Sequence, residues 1–501
     1  MRNHLQRNLH LVFASLSALV FSICAYYFGT AWPAYQNIAI GAGLGLLAYG
    51  LFYLLFYLLS ALFGRMSLQF RLTILSIVAV LVAAQWAGFG WPASIYYPAV
   101  LMMVVLLLLL AWGASIKGSW WGKLALMILP LVLIGGGVVW LLREGQDPFP
   151  RATHQEPSVA ALMSLSAEGL TDPSEAGSYE YTQFTYGSGT DQRRPEYAAG
   201  VRFATPTVDA SRLLPQWEGK KKKWREQYWG FGVEAFPLNG RVYQPEGQGP
   251  FPLVLIVHGN HSMIDYSDGG YAYLGELLAS RGMIAVSVDE NFINGHWSGD
   301  FRGKEMPTRA WLLLKHLEQW RSWTSDVGHD LYGKVDTAQI MLVGHSRGGE
   351  AVSIAAAYNK LPYFPDDAQE VFDFNFGIKG IVTIAPTDYR YHRQIQLENI
   401  NYLSLQGSYD ADETSFWGLR PYHRLAFTDS VDYFKAGVYI HRANHGQFNS
   451  SWGRHDFGGM FAHLMNTQPM MSAKEQQQAA KVFITGFAEG VFNGQRAYQS
   501  L

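Results

Sequence analysis

Acidic residues are missing from the first 143 positions: all 40 Asp and Glu of this 501-residue chain lie at or after Glu144. Seven of the 38 Lys and Arg fall in the acid-free stretch, and the remainder holds 31 basic against 40 acidic residues. Cysteine is nearly absent as well. A lone Cys24 excludes an intrachain disulfide and a cysteine-built metal cluster, and it leaves the redox compartment unread. Charged residues make up only 16% of the chain against 49% apolar, a rich ratio that reflects the first block far more than the second. No internal repeat is present.

What fills the acid-free block is a series of apolar runs near Leu9–Phe28, Ile38–Phe63, Leu72–Phe89, Tyr96–Ala114 and Leu124–Leu142. Each approaches or exceeds the roughly 20 residues that a helix needs to cross a bilayer, so the expectation is a transmembrane domain of about five helices over 1–143. Basic residues alternate between the connecting segments: Arg2 and Arg7, then none, then Arg65 and Arg71, then none, then Lys117 and Lys123. That alternation predicts a cytoplasmic N-terminus and, after five crossings, a periplasmic or extracellular second half in contact with the lipid bilayer. The segment 144–200 is polar and rich in Pro, Gly, Ser and Glu, and reads as a linker with a short helix near Ser158–Ser166. Lys220–Lys223 with Arg225 read as a solvated basic loop, with contact to lipid phosphates as the alternative.

From about Val201 to the end, short β-type runs alternate with helical ones. A hairpin is expected around Leu238-Asn239-Gly240, and Pro252–His258 is a continuous apolar run of the kind buried on both faces of a parallel sheet. Helices are expected at Tyr271–Ser280, Thr308–Trp323, Gly349–Asn359 and Ala473–Phe492. Strands are expected at Met283–Val288, up to Val343, and at Ile378–Ile384, Asn401–Leu405 and Ala436–His441. Such alternation predicts a doubly wound, mostly parallel sheet with its chemistry at the carboxyl ends of the strands.

At one strand-to-helix junction stands Gly344-His345-Ser346-Arg347-Gly348-Gly349. A serine hydroxyl is a weak nucleophile until a base takes its proton and donors receive the developing oxyanion. Gly-x-Ser-x-Gly serves both needs when a tight turn exposes the serine between strand and helix. In a chain with 51 glycines the pentapeptide alone is a weak signal, and its strand-before, helix-after context gives it weight. The acid and base should follow, each just past a later strand. Asp410 is the expected acid, with Asp412 the alternative, after the strand at Asn401–Leu405. His445, at the tip Asn444-His445-Gly446, is the expected base in preference to His441, which lies on a strand. Oxyanion donors are expected from the backbone N–H of Arg347 and of Asn260 in His258-Gly259-Asn260-His261, with His261 the next choice and His258 bracing the loop. Glu350 is read as a partner for Arg347 or another Arg, or as solvent-facing. Trp297 and Phe301 are read as packing residues that alternatively meet an apolar substrate group.

On these motifs the stretch from about Tyr228 to Phe492 resembles the α/β-hydrolase superfamily, in particular its group of chlorophyllases, platelet-activating-factor acetylhydrolases, dienelactone hydrolases and cutinase-like polyester hydrolases. The resemblance implies an α/β-hydrolase fold over 201–501 and carboxylic ester hydrolysis through an acyl-enzyme, with Ser346, Asp410 and His445 as triad. It implies no cofactor and no metal. A small-molecule or lipid ester is the expected substrate, and no nucleic acid is expected among the partners. The family's usual soluble or secreted form lacks the apolar block, so no particular substrate carries over. The rival readings are an acyltransferase acting on an envelope alcohol, a serine peptidase on the same triad, a non-catalytic scaffold, and a metal hydrolase built from His258, His261, His441 and His445 with Asp289 or His296.

Overall fold

The computed structural model describes residues 2–27, 34–59, single positions between 119 and 143, and 171–501 except 297 and 457–464. Two compact units result: Met1–Glu144 with Gly459–Met465, and Gly145–Gly458 with Asn466–Leu501.

In the first unit, helices α1 (Arg2–Tyr27) and α2 (Ala34–Leu59) pack on each other. The Ser17 hydroxyl donates to the Gly45 carbonyl at 2.7 Å, the Ser22 hydroxyl to the Ile38 carbonyl at 3.0 Å, and His10 Nδ1 lies 2.7 Å from the Tyr49 hydroxyl. Among the described residues no helix is long and apolar enough to cross a membrane. This overturns the expected transmembrane domain of about five helices, and with it the integral-membrane placement and the outward orientation of the second half. The apolar runs read from the sequence contain the serines, glycines and tyrosines through which these two helices bind each other, so run length alone was a poor guide. The expected spans Leu72–Phe89 and Tyr96–Ala114 lie outside the described residues, as do most of Leu124–Leu142 and the short helix near 158–166.

The second unit is built on a sheet whose strands are β1 (Tyr181–Gly187), β2 (Phe203–Ala204), β3 (Asn239–Pro245), β4 (Phe251–Val257), β5 (Ile284–Asp289), β6 (Val335–His345), β9 (Ile378–Ile384), β10 (Asn401–Gly407) and β11 (Lys435–Ile440); β7 (Tyr363–Phe364) and β8 (Asp367–Val371) form a separate ribbon. The order across the nine-stranded sheet is β11-β10-β9-β6-β4-β5-β3-β1-β2. Strand β3 runs antiparallel to both its neighbours, and every other pairing in this sheet is parallel.

The unbroken apolar run of β4 now has its reason. Leu253, Leu255 and Val257 enter one core while Val254 and Ile256 enter the other, since alternate strand residues point to opposite faces. The first core takes residues of α5 (Met306–Ser325) and α6 (Arg347–Tyr358), the second those of α4 (Ala272–Ser280) and α8 (Ala473–Phe492); the short α7 (Leu419–Arg424) lies beside β10 and β11. Helix α8 begins with a capping box in which Ser472 and Glu475 satisfy each other's backbone N–H.

Three local expectations are corrected. Part of the supposed linker is β1, whose partly polar residues pair with β3 in register from Tyr181 opposite Pro245 to Tyr186 opposite Gly240. Consequently Asn239-Gly240 opens a strand rather than turning a hairpin, and its partners come from distant sequence. The supposed basic loop is helix α3 (Gly219–Trp229), in which Arg225 is fully buried and donates to the carbonyls of Phe292, Asn294 and Gly299. Long-range partners, invisible locally, decided each case.

Candidate active site

Ser346 stands between β6 and α6 with φ 56° and ψ −125°. Positive φ is uncommon for a residue with a side chain and stores strain that the surroundings must hold. They do so here. The Ser346 N–H donates to the Ile384 carbonyl at 2.8 Å, and the Ser346 carbonyl accepts from Gly349 N–H at 2.9 Å. A Cβ at Gly344 would overlap the Gly348 carbonyl, and one at Gly348 would overlap the carbonyls of Val257 and His258. The flanking glycines are therefore what allow strand, turn and helix to close up. From the neighbouring strand end, Gly259 comes so near that an added Cβ would collide with the Ser346 side chain.

Asp410 and His445 follow β10 and β11 at the same edge of the sheet. His445 Nδ1 lies 2.9 Å from Asp410 Oδ2. The carboxylate is further held by Gln406 Nε2 at 2.9 Å on Oδ2 and by the backbone N–H groups of Asp412 and Glu413 on Oδ1 at 3.1 and 2.7 Å. Asp412 Oδ2 lies 3.5 Å from the other imidazole nitrogen, Nε2, and its side chain is half exposed. Buried His445 Nε2 makes no hydrogen bond to a described residue. Burial opposes protonation of His445, but Asp410, then Asp412 and Asp456, outweigh it and raise its pKa above the ordinary histidine value. The structure thus joins the acid and base chosen from sequence and gives Asp412 a different nitrogen.

The side chain beside Ser346, His345, carries the connection to the base. Its ring centroid is 4.9 Å from that of His445, Trp452 stacks on it at 4.5 Å, and its Nδ1 lies 2.9 Å from the Tyr271 hydroxyl. Trp452 also stacks on His261 at 5.5 Å and lies parallel to His445 at 5.9 Å.

Two N–H groups were expected to serve an oxyanion. Arg347 is the first residue of α6, where no helical carbonyl reaches its N–H. No described residue accepts a hydrogen bond from the Asn260 N–H, while its side-chain oxygen accepts from Gly295 N–H at 2.7 Å and ties down the loop. His258 braces as expected. Its Nε2 accepts from Glu290 N–H at 3.0 Å, which leaves the proton on Nδ1, 2.8 Å from the Gly259 carbonyl. Burial, then the Arg309 charge, push its pKa down to about 3.

Other expectations resolve differently. Glu350 neither pairs with Arg347 nor faces solvent: it is buried and accepts from the N–H groups of Arg390 and Tyr391 at 3.1 and 2.8 Å. Arg347 instead pairs with Glu305 at 2.5 Å and Asp300 at 3.1 Å. Phe301 is buried and stacks on Trp217 at 5.9 Å, a packing role, and Trp297 lies outside the described residues. His441 Nε2 accepts from Arg442 Nε at 3.2 Å, and His261 Nδ1 lies 3.2 Å from Asp265. Among the described residues no three His, Cys, Asp or Glu side chains converge as metal ligands would.

Sequence reasoning passed over Gln406, Trp452 and Asp456. Gln406 was detectable as a polar residue at the end of an apolar strand, one position before the turn. Trp452 and Asp456 carry no local signal, because they reach the site by folding back from seven and eleven positions beyond His445. The chain matches no protein-family model and no curated protein sequence.

Proposed function

We propose that this protein is a serine hydrolase of the α/β-hydrolase type, cleaving a carboxylic ester through an acyl-enzyme. The observation that carries the proposal is the set Ser346, His445 and Asp410: a positive-φ serine between a parallel strand and a helix, and a histidine bonded at 2.9 Å to a carboxylate from the next loop. The strand order, with its single antiparallel intruder β3, supports the same reading.

In this mechanism His445 Nε2 takes the Ser346 proton as the hydroxyl oxygen attacks the ester carbonyl. Asp410 stabilises the imidazolium, and the Arg347 and Asn260 N–H groups receive the oxyanion. Collapse expels the alcohol, which takes the proton from His445 and leaves Ser346 acylated. Water, deprotonated by His445, then attacks the acyl carbon, and the departing Ser346 oxygen takes that proton back as the acid is released. His445 Nε2 is the ring nitrogen opposite the one bonded to Asp410 and makes no hydrogen bond to a described residue, with Asp412 Oδ2 at 3.5 Å, which leaves its lone pair available to the serine proton. The test is turnover of p-nitrophenyl esters of increasing acyl length by the purified full chain, with covalent capture of Ser346 by a fluorophosphonate. Absence of both turnover and labelling would overturn the proposal.

A further inference from the structure

Two buried or part-buried polar side chains stand out among the groups that fasten the loop carrying the base. Gln476, fully buried on α8, accepts from Asn444 N–H at 3.0 Å and donates to the Asn444 carbonyl at 2.8 Å. The other fastening is Asp456. Its Oδ2 accepts from the backbone N–H of Ala411 at 3.0 Å and of His445 at 3.1 Å. Its Oδ1 accepts from Gly446 N–H and from Asn444 Nδ2, both at 2.8 Å. Ala411 is the residue after the acid, and the other three donors surround the base. One carboxylate therefore receives four hydrogen bonds from two loops that are 33 residues apart or more in sequence, and all four donors are oriented toward negative charge.

We infer that Asp456 is a positioning residue of the catalytic site, clamping the turn of Asp410 to the turn of His445; the inference rests on the triad reading above. Backbone N–H groups that converge on a carboxylate fix it and are fixed by it, because each such charge-assisted bond is stronger than a neutral one. The pair they hold, His445 on Asp410, needs its geometry kept within a fraction of an ångström, and a displacement of about 1 Å typically costs about a hundredfold in rate. An amide at 456 would present one oxygen and one N–H₂ to four donors, so at most half of the bonds survive and the rest become donor–donor contacts. The groups facing His445 are Asp410, Asp412 and Asp456, with Glu413, His261 and His345 completing the titratable surroundings. Removing the Asp456 charge takes away part of what favours the imidazolium.

The experiment compares wild type, D456N and D456E in the full chain. It measures kcat and KM on p-nitrophenyl butyrate, the number of sites titrated by a fluorophosphonate, and the pH dependence of the labelling rate. Expected for D456N are a fall in kcat per titrated site of about tenfold to a hundredfold, a KM within about threefold of wild type, and a labelling midpoint moved to lower pH. Expected for D456E, which keeps the charge but displaces it by a methylene, are a similar loss of kcat and a midpoint near wild type. It also serves if D456N does not fold. A merely structural role predicts fewer titrated sites with unchanged kcat per site and unchanged midpoint, and that result overturns the inference. Ser346→Ala separates the two levels of argument: if it retains turnover and labelling, the triad reading itself falls. If it is dead and D456N behaves as wild type, only the role of Asp456 falls.

Discussion

Asp410 Oδ2 and His445 Nδ1 stand 2.9 Å apart, while Asp412, two residues on, faces Nε2 of the same ring at 3.5 Å. The two carboxylates thus flank one imidazole, with different consequences in the proposed mechanism. Asp410 is bonded to the nitrogen that must keep its proton. Asp412 lies beside the nitrogen that must be free to accept one.

Replacement of Asp410 by Asn should lower kcat by roughly three to four orders of magnitude, since an amide neither stabilises the imidazolium nor fixes the tautomer. Asp412→Asn should remain within about tenfold of wild type, its side chain being half exposed and on the wrong nitrogen for the role. Steady-state kinetics on one p-nitrophenyl ester decide this, and the reverse order would move the acid to Asp412.

Ser346→Ala should abolish turnover and fluorophosphonate labelling, a loss of at least about a thousandfold, with the melting temperature unchanged or raised. Ala tolerates φ 56° no better than Ser, so the strain there is not relieved and any rise is small. Residual activity within tenfold, only about 1.4 kcal/mol, would remove Ser346 from the nucleophile's role.

The pH profile follows from the charges around His445. As base it works only when neutral, and Asp410 raises its pKa from 6.5 against the opposing effect of burial. The rising limb of kcat/KM should therefore have its midpoint above pH 6.5, and any residual activity of Asp410→Asn should have a limb displaced to lower pH. Folding stability obeys the same shift with the sign of a raised base. The contribution of the protonated pair is fully present below pH 6.5 and is lost as pH climbs through the folded-state value. A midpoint at or below 6.5 in wild type would contradict the assignment.

Arg347 offers a separation of backbone from side chain. Its N–H serves the oxyanion in the proposed mechanism, whereas its guanidinium is paired with Glu305 and Asp300. Arg347→Ala keeps the N–H and removes the cation paired with the fully buried Glu305, leaving it the Gly303 N–H as donor, so stability should drop by about 3 kcal/mol. Rate per titrated site should stay within about tenfold. Chemical denaturation read beside active-site titration measures both. A loss confined to kcat, with stability intact, would assign the guanidinium to substrate instead.

Much of the second unit was already legible in the chain, for a physical reason that differs by element. Strand β4 and the carboxyl-terminal parts of β6, β9 and β10 are buried on both faces, so they carry mostly apolar runs and announce themselves. Helix α8 announces itself through its amphipathic spacing and capping box. The elbow was legible because a side chain at Gly344 or Gly348 cannot be accommodated, and that steric demand is written in the letters. Asp410 and His445 were legible as a polar residue and a histidine just beyond strands already placed. Hidden from the sequence was everything that depends on which distant segment lies alongside. The partly polar β1 is a strand only because β3 pairs with it, and the lysine-rich α3 holds a buried arginine only because three carbonyls of another loop receive it. The apolar first block misled because run length was read as a membrane span, whereas among the described residues no helix is long and apolar enough to cross one. Asp456 sits eleven residues beyond the histidine it steadies, and only the returning loop brings its carboxylate to four donors that no local pattern could have gathered.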